Sequence, residues 1–292
     1  MASSGSPTVR RRRLAAELRR LRGNRTGNDV SRAIGWSTTK ISRAESGRES
    51  LPPPEIEKLI DYYGVADPLR GRLLELAGDA AQRGWWDDYA DVLTPEYLEF
   101  IGLEAEAVSC LQWHADVIPG LLQTEEYARQ LNAAYRAVDP TVPPSVQERF
   151  LQVRMLRQAR LTQEPVLRLS VVMDEAVLLR GVGDLGVMRA QLARLIDVAE
   201  LPNVNLRVLP LKQNAGLHGG SFAIVSFRSQ EAPEEGALGD VVSTENLNTE
   251  FYVQGENDTY LYRLFFQALF NAALPPAESR RFIISTIEHA WS

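Results

Sequence analysis

Short hydroxyl side chains and two cations occur together in one stretch of the chain, Thr38-Thr39-Lys40-Ile41-Ser42-Arg43. Ile41 and Ala44 are three residues apart, so on a helix they share one face and the polar side chains lie on the other. Hydroxyl and guanidinium groups on an exposed helix can hydrogen bond to base edges in the major groove of DNA. The stretch therefore predicts a recognition helix, with these candidate contacts: Thr38, Thr39, Lys40, Ser42 and Arg43.

The residues before this stretch predict the helix that would support it. Val30, Ala33 and Ile34 lie at i, i+3 and i+4, which gives a helix one apolar face. Gly35 can end that helix in the left-handed conformation, and Ser37 can cap the next one by accepting from its first amide groups. Residues 27–47 are therefore predicted to be two helices joined by a tight turn, an arrangement used by many DNA-binding proteins.

The charge of the chain is divided unevenly along its length. Residues 1–50 contain 12 Lys and Arg against 4 Asp and Glu, a balance of +8, whereas residues 51–292 contain 20 against 34, a balance of −14. A basic segment joined to an acidic one is typical of a nucleic-acid-binding module fused to another domain. Arg48 is expected to contact phosphates. A DNA-binding arm on the backbone or in a minor groove is expected from Arg10, Arg11, Arg12 and Arg13.

The length of 292 residues and the breaks in the pattern predict two domains. Residues 1–9 are expected to be disordered, and residues 10–82 to form an all-α head of five helices. Gly84-Trp85-Trp86 marks the boundary, where the tryptophans either clamp the linker onto the second domain or form a ligand cage. Residues 83–292 alternate between helical and strand patterns, starting with a helix over residues 97–111, so a larger α+β or α/β domain is predicted there.

The sequence contains no group of residues typical of an enzyme or a metal site. Its three histidines are isolated in sequence, and no GxSxG nucleophile motif is present. The formal GxGxxG match at residues 181–186 does not follow a strand pattern directly, so it is interpreted as a loop before a capped helix. We therefore expect no catalysis, no cofactor and no metal ion.

Composition also bears on the compartment. The sequence has no run of 18 apolar residues and no secretory signal pattern, so neither a membrane span nor export is expected. Its single cysteine, Cys110, lies in an apolar stretch and is interpreted as a buried structural thiol in a reducing compartment. These features predict a cytoplasmic protein, associated with the nucleoid if it binds DNA.

Several motifs along the chain are specific as a set. They are Gly35-Trp36-Ser37, KISRAESG (40–47), Gly84-Trp85-Trp86, GLEAEA (102–107), VIPGLLQTEEYA (117–128) and MDEAVL (173–178). The first two resemble the Xre/Cro type of helix-turn-helix head, which implies a lambda-repressor-like fold. Together they are similar to actinobacterial, antitoxin-like regulators, including the WhiJ type, which join such a head to a C-terminal domain of unknown function. The resemblance covers about residues 10–290.

The resemblance implies roles for individual residues. It implies that Thr38, Thr39 and Arg43 read bases, and that Lys40 and Ser42 lie near the DNA backbone or adjacent bases. Many such heads have a phosphate-binding glutamine at the start of the first of the two helices, where this chain has Gly27 followed by Asn28. Asn28 or Thr26 is expected to take that role instead. Trp36, in the turn, is expected to pack in the core.

The main hypothesis is a sequence-specific, homodimeric regulator that binds double-stranded DNA, acts as a repressor and is controlled by a small partner protein encoded nearby. One alternative makes DNA binding secondary to sequestering a small partner protein, which the second domain would bind. Another is a regulator whose second domain senses a small molecule. A broad apolar or acidic surface would favour a protein partner, and a deep enclosed pocket would favour a ligand. Either dimerisation or core packing would account for a cluster of large apolar residues in one predicted helix, Phe265, Phe266, Leu269 and Phe270.

Overall fold

The computed structural model describes residues 7–47, 51–213, 219–227, 239–246 and 249–292. The chain divides into two compact units. Among the described residues, the first unit contains 7–47, 51–88 and Ile101–Glu106, and the second contains the remainder. Of the residues expected to be disordered, 1–6 lie outside the described residues, whereas 8 and 9 are buried in the first helix.

The first unit is a bundle of short helices around one apolar core. Leu18, Ile41 and Ile60 are buried in this core, and Trp36 packs against it as expected. Ile101–Glu106 adds the last residues of α6 to this unit. The helices are α1 (Pro7–Arg22), α2 (Gly27–Ile34), α3 (Thr38–Glu45), α4 (Pro53–Tyr63), α5 (Leu69–Ala80) and α6 (Pro95–Glu106).

Capping residues fix the ends of the helices in this unit. Gly35 ends α2 with a φ of 75°, and Gly64 ends α4 with a φ of 72°, both in the left-handed region that glycine adopts without steric cost. The side chain of Ser37 accepts a hydrogen bond from the backbone N–H of Lys40 at the start of α3. The predicted boundaries of the two central helices are therefore confirmed.

The second unit is built on one mixed sheet of six strands in the order β3-β2-β1-β4-β5-β6. Its first three strands run parallel, and the others join through antiparallel pairs. The elements after α6 are β1 (Ser109–His114), α7 (Glu125–Val138), α8 (Pro144–Arg157), β2 (Arg168–Asp174), α9 (Glu175–Leu179), α10 (Leu185–Val198), β3 (Val204–Leu209), β4 (Phe222–Ser226), β5 (Val241–Asn246), β6 (Thr249–Gln254), α11 (Glu256–Ala272) and α12 (Pro276–Ala290).

One face of the sheet packs against α11. Trp113 of β1 lies opposite Phe222 of β4, and both share a core cluster with Phe266 and Leu269 of α11. Phe265 and Phe270 pack against the same cluster, so core packing accounts for all four of the large residues considered for dimerisation. The predicted α+β class is confirmed.

The predicted helix over residues 97–111 is wrong at its C-terminal end. The helix stops at Glu106, and β1 begins at Ser109. Cys110 and Leu111 pair with Leu169 and Ser170 of β2, almost sixty residues further along the chain. A local pattern does not contain these distant partners, and strand formation depends strongly on such context. In the part of the chain that the structure describes, no helix has the length and apolarity to cross a membrane.

Candidate nucleic-acid interface

The recognition helix predicted from the sequence presents one polar stripe. Thr38, Thr39, Ser42 and Arg43 are exposed on α3. On the opposite face, Ile41 is buried in the core together with Ala44. Positions i, i+1, i+4 and i+5 of a helix form one continuous strip, so a groove that accepts α3 would meet all four side chains. This stripe is the arrangement that reading base edges requires.

The turn between α2 and α3 is held by hydrogen bonds. The hydroxyl of Ser31 on α2 donates to the carbonyl oxygen of Trp36 in the turn at 2.6 Å. The backbone N–H of Gly35 donates to the carbonyl oxygen of Ser31. Ser31 donates one of these bonds and accepts the other, so local contacts of a single residue of α2 fix the direction in which α3 leaves the turn.

Lys40 differs from the other predicted contacts of α3. Its Nζ lies 2.6 Å from a carboxylate oxygen of Glu55 on α4 and 4.4 Å from the centre of the Trp36 ring. The ion pair and the cation–π contact hold the side chain against its own unit. Lys40 therefore supports α3 in this structure, and a DNA contact would require its ammonium to leave Glu55.

A charged network ties the C-terminal end of α3 to the rest of the unit. The Nε of Arg22 on α1 lies 2.9 Å from each carboxylate oxygen of Glu45, and the hydroxyl of Tyr63 donates to the same carboxylate at 3.3 Å. The side chain of Glu45 is only 9% exposed. Burial, followed by the nearby carboxylate of Glu45, raises the pKa of Tyr63 well above its usual value, so its hydroxyl stays protonated.

Sequence reasoning missed this network because the partners are 23 and 18 positions apart. In the sequence, Glu45 reads as one of several surface acids. Only the packing of α1 and α4 beside α3 brings the three side chains together.

The predicted arginine arm is wrong for the described structure. Residues 10–13 form an early turn of α1, where Arg10 and Arg12 are buried and Arg11 and Arg13 are half-buried. Arg10 lies 3.7 Å from Asp79 of α5, and Arg12 packs against Gly47. A guanidinium paired with an acid inside its own unit is not presented to DNA as a mobile arm. The acid that pairs with Arg10 comes from α5, which the local sequence does not reveal.

Residues at the start of α2 have separate roles. The hydroxyl of Thr26 accepts from the Asp29 amide, and the Asp29 carboxylate accepts from the Thr26 amide, a capping box that occupies the Thr26 side chain. Asn28 is exposed, so of the two residues considered for the phosphate contact it is the better placed. Arg48 lies outside the described residues.

The structure adds one candidate that the sequence analysis did not name. Arg32 is exposed on α2 and lies four residues after Asn28, so both side chains are on one face of that helix. In helix-turn-helix complexes the first helix crosses the DNA backbone. The four-residue spacing from Asn28 is the signal that could have identified Arg32.

The described part of the second unit contains a groove along α8. It has a volume of about 520 Å³, is open to solvent, and is lined partly by Leu151, Met155 and Leu156 of α8. Cys110 is buried, as expected for a structural thiol. Trp86, at the predicted boundary, is buried, whereas Trp85 is exposed. Within the described ranges, no group of His, Cys, Asp and Glu side chains has the arrangement of a metal site.

Comparison with known proteins identifies both parts of the chain. Residues 97–285 match the family described as Domain of unknown function (DUF5753), and residues 13–73 match the family described as Helix-turn-helix domain. No curated protein and no solved structure matches the chain. The second match contains α2 and α3, and a helix-turn-helix domain implies DNA binding.

Proposed function

We propose that this chain, which belongs to the DUF5753 family and carries a helix-turn-helix domain, is a sequence-specific regulator that represses transcription. The observation that carries the proposal is the exposed stripe Thr38, Thr39, Ser42 and Arg43, fixed to the core by Ile41. Each of these four side chains can donate a hydrogen bond to a base edge. The role requires no catalysis, cofactor or metal ion, and the protein would act in the cytoplasm on the nucleoid.

The proposed interface divides contacts between two helices. Arg43 would bind a guanine through its O6 and N7 atoms, the commonest specific contact of an arginine in the major groove. Thr38, Thr39 and Ser42 would read neighbouring bases. Asn28 and Arg32, on one face of α2, would bind phosphates and fix the register of α3.

We propose a homodimer as the functional form, because one small helix-turn-helix head covers a single half-site and two-fold pairing doubles the contacts. The family resemblance to antitoxin-like, WhiJ-type regulators suggests that a small protein encoded nearby controls the dimer. The balance of −14 over residues 51–292 supports a basic partner. Sensing of a small molecule is the second candidate, supported by the groove along α8.

The test of the proposed function starts with selection of genomic fragments that the full-length protein binds. Arg43→Ala should then lower affinity for the selected site by about 5- to 150-fold while changing affinity for random DNA little. Arg72→Ala, which removes an exposed arginine of α5 and leaves α2 and α3 unchanged, is the matched control and should bind normally. Equal loss on both DNAs would make Arg43 a phosphate contact. No loss on either would remove Arg43 from the interface.

A second experiment separates the two proposed effectors. The full-length protein would be titrated with the product of the adjacent small gene and, separately, examined by native mass spectrometry for a bound metabolite. Binding of the small protein at micromolar concentration would support the partner. A copurified metabolite without such binding would support the sensor.

A further inference from the structure

Three large apolar side chains are exposed on one helix of the second unit, and a fourth is exposed on the strand that precedes this helix. Tyr260, Leu261 and Leu264 of α11 are 58%, 63% and 49% exposed, and Phe251 of β6 is 52% exposed. Phe251 is two residues from Val253, which packs against the core cluster under α11, so both side chains belong to the face of the sheet that α11 covers. An apolar surface of this kind marks a site of interaction.

The exposed positions of α11 follow the spacing of a helix–helix seam. Leu261, Leu264, Ala268 and Asn271 are separated by three, four and three residues, and all four are exposed. This alternation is the spacing by which one helix packs against another in a coiled coil. The inner face of α11 is already occupied by the sheet through Phe266 and Leu269. The outer seam is thus a second packing surface on the same helix.

The seam also carries no charge. From Tyr260 to the end of α11, the only charged residue is Arg263, which pairs with Asp240 and lies beside the seam. The remaining exposed polar residues are amides, and Gln267 donates to Asn271 at 2.8 Å. A strongly basic or acidic partner would find no opposite charge here. Two copies of an acidic chain would avoid repulsion by meeting across such a face.

We infer that the outer face of α11, defined by Tyr260, Leu261, Leu264, Ala268 and Asn271, binds the same face of a second copy of this chain. We place the two-fold axis perpendicular to α11, which makes the paired helices antiparallel. A pairing centred between Leu264 and Ala268 sets the large Leu264 against the small Ala268 of the partner subunit, and large-against-small contacts let helices approach closely. The inference deepens the proposed function, because it assigns the surface that would bring two DNA-binding heads to one operator.

The experiment uses the full-length protein without DNA. Light scattering and sedimentation velocity at micromolar concentration should give a dimer for the natural chain. Leu264→Glu should weaken dimerisation by about 100-fold, because it places a carboxylate in the centre of the seam. Leu156→Glu, at an equally exposed leucine of α8, is the matched control and should remain dimeric. Unchanged far-ultraviolet circular dichroism spectra of both variants at 25 °C would exclude misfolding as the cause, because the melting temperature itself falls when a dimer is lost.

Crosslinking tests the register independently of any loss of stability. The single natural cysteine, Cys110, is buried, so a disulfide formed between two chains would come from the introduced cysteines. A mixture of Leu264→Cys and Ala268→Cys proteins should form a mixed disulfide under mild oxidation, whereas Leu156→Cys should not crosslink. A monomeric natural chain, or a dimer unaffected by Leu264→Glu, would overturn the inference.

These outcomes separate the inference from the proposed function. A dimer that depends on Leu264 but binds no DNA supports the α11 surface and contradicts the regulator. A monomer that binds one specific site supports the regulator and contradicts the surface. A monomer that copurifies with another protein through Leu264 assigns the seam to a different partner and overturns the inference.

Discussion

Removal of the Glu45 carboxylate tests the network that holds the recognition helix. Glu45→Ala would leave the Arg22 guanidinium and the Tyr63 hydroxyl without the carboxylate that accepts from both. Breaking a buried ion pair by deleting one partner costs about 3–5 kcal/mol. Arg22 is 24% exposed, so water can replace part of the lost interaction. We therefore expect the free energy of unfolding to fall by about 2–3 kcal/mol, as for a hydrogen bond to a charged group.

The measurement is urea denaturation of the full-length protein, with the transition of the first unit followed by hydrogen exchange at the amides of α3. The matched control is Glu17→Ala, which removes the half-buried partner of the exposed Arg20 in the same unit and should cost less than about 1 kcal/mol. A double-mutant cycle with Arg22→Ala should give a coupling energy of about 1.5–3 kcal/mol.

The DNA affinity of Glu45→Ala should also fall under conditions where the protein is folded, because the C-terminal end of α3 would lose its link to α1. A loss of stability in Glu45→Ala no larger than that in Glu17→Ala would refute a stabilising role of this network. Absence of coupling between Glu45 and Arg22 in the cycle would refute it equally.

Three further changes test separate features of the first unit by equilibrium denaturation. Gly35→Ala should cost about 1–2 kcal/mol, because alanine is strained at a φ of 75° even though no other atom lies near its methyl group. Gly35→Asn should cost less, because asparagine tolerates this conformation better. An equal cost for both variants would contradict backbone strain as the cause. Gly102→Ala should cost more than Gly35→Ala, because the new methyl group would lie 2.6 Å from Cβ of Thr8 on α1. Adding Thr8→Gly to the same chain should recover part of the lost stability. If it recovers none, this contact is not the cause of the loss. Burial raises the pKa of Glu106 to about 7. The folded chain therefore holds this proton more tightly than the unfolded chain does, and the free energy of unfolding falls as the pH rises from 5 to 8. Glu106→Gln should have the same free energy of unfolding as the natural chain at pH 5 and a value about 1–2 kcal/mol higher at pH 8. This difference is smaller than the full pKa shift would give, because solvent partly screens the carboxylate. An equal difference at both pH values would contradict the burial effect.

Features encoded in neighbouring residues could be predicted from the sequence. The end of α2 and the start of α3 are predictable, because Gly35 ends α2 through its own backbone conformation and Ser37 caps α3 through a hydrogen bond to its first turn. The exposed and buried positions of α3 were predicted because helical periodicity fixes which side chains share a face. The order of helices and strands along the second unit follows similar local patterns.

Features created by distant residues could not be predicted in this way. β1 is a strand because β2 and β4 flank it, although Ser109–His114 continues from a helical pattern. The arginines of α1 looked like a mobile arm because Asp79, which pairs with Arg10, is far away in sequence. The same limit applies to the ion pair of Lys40 with Glu55, which alters the role of a predicted DNA contact.

The internal ion pairs of the first unit have a consequence for how DNA binding would respond to salt. Arg10, Arg22 and Lys40 are already balanced by Asp79, Glu45 and Glu55. Each phosphate that a protein cation neutralises releases condensed counterions and steepens the fall of log affinity with log salt by about 0.9. Cations that keep their carboxylate partners release none. The slope should therefore be shallower than the balance of +8 over residues 1–50 implies.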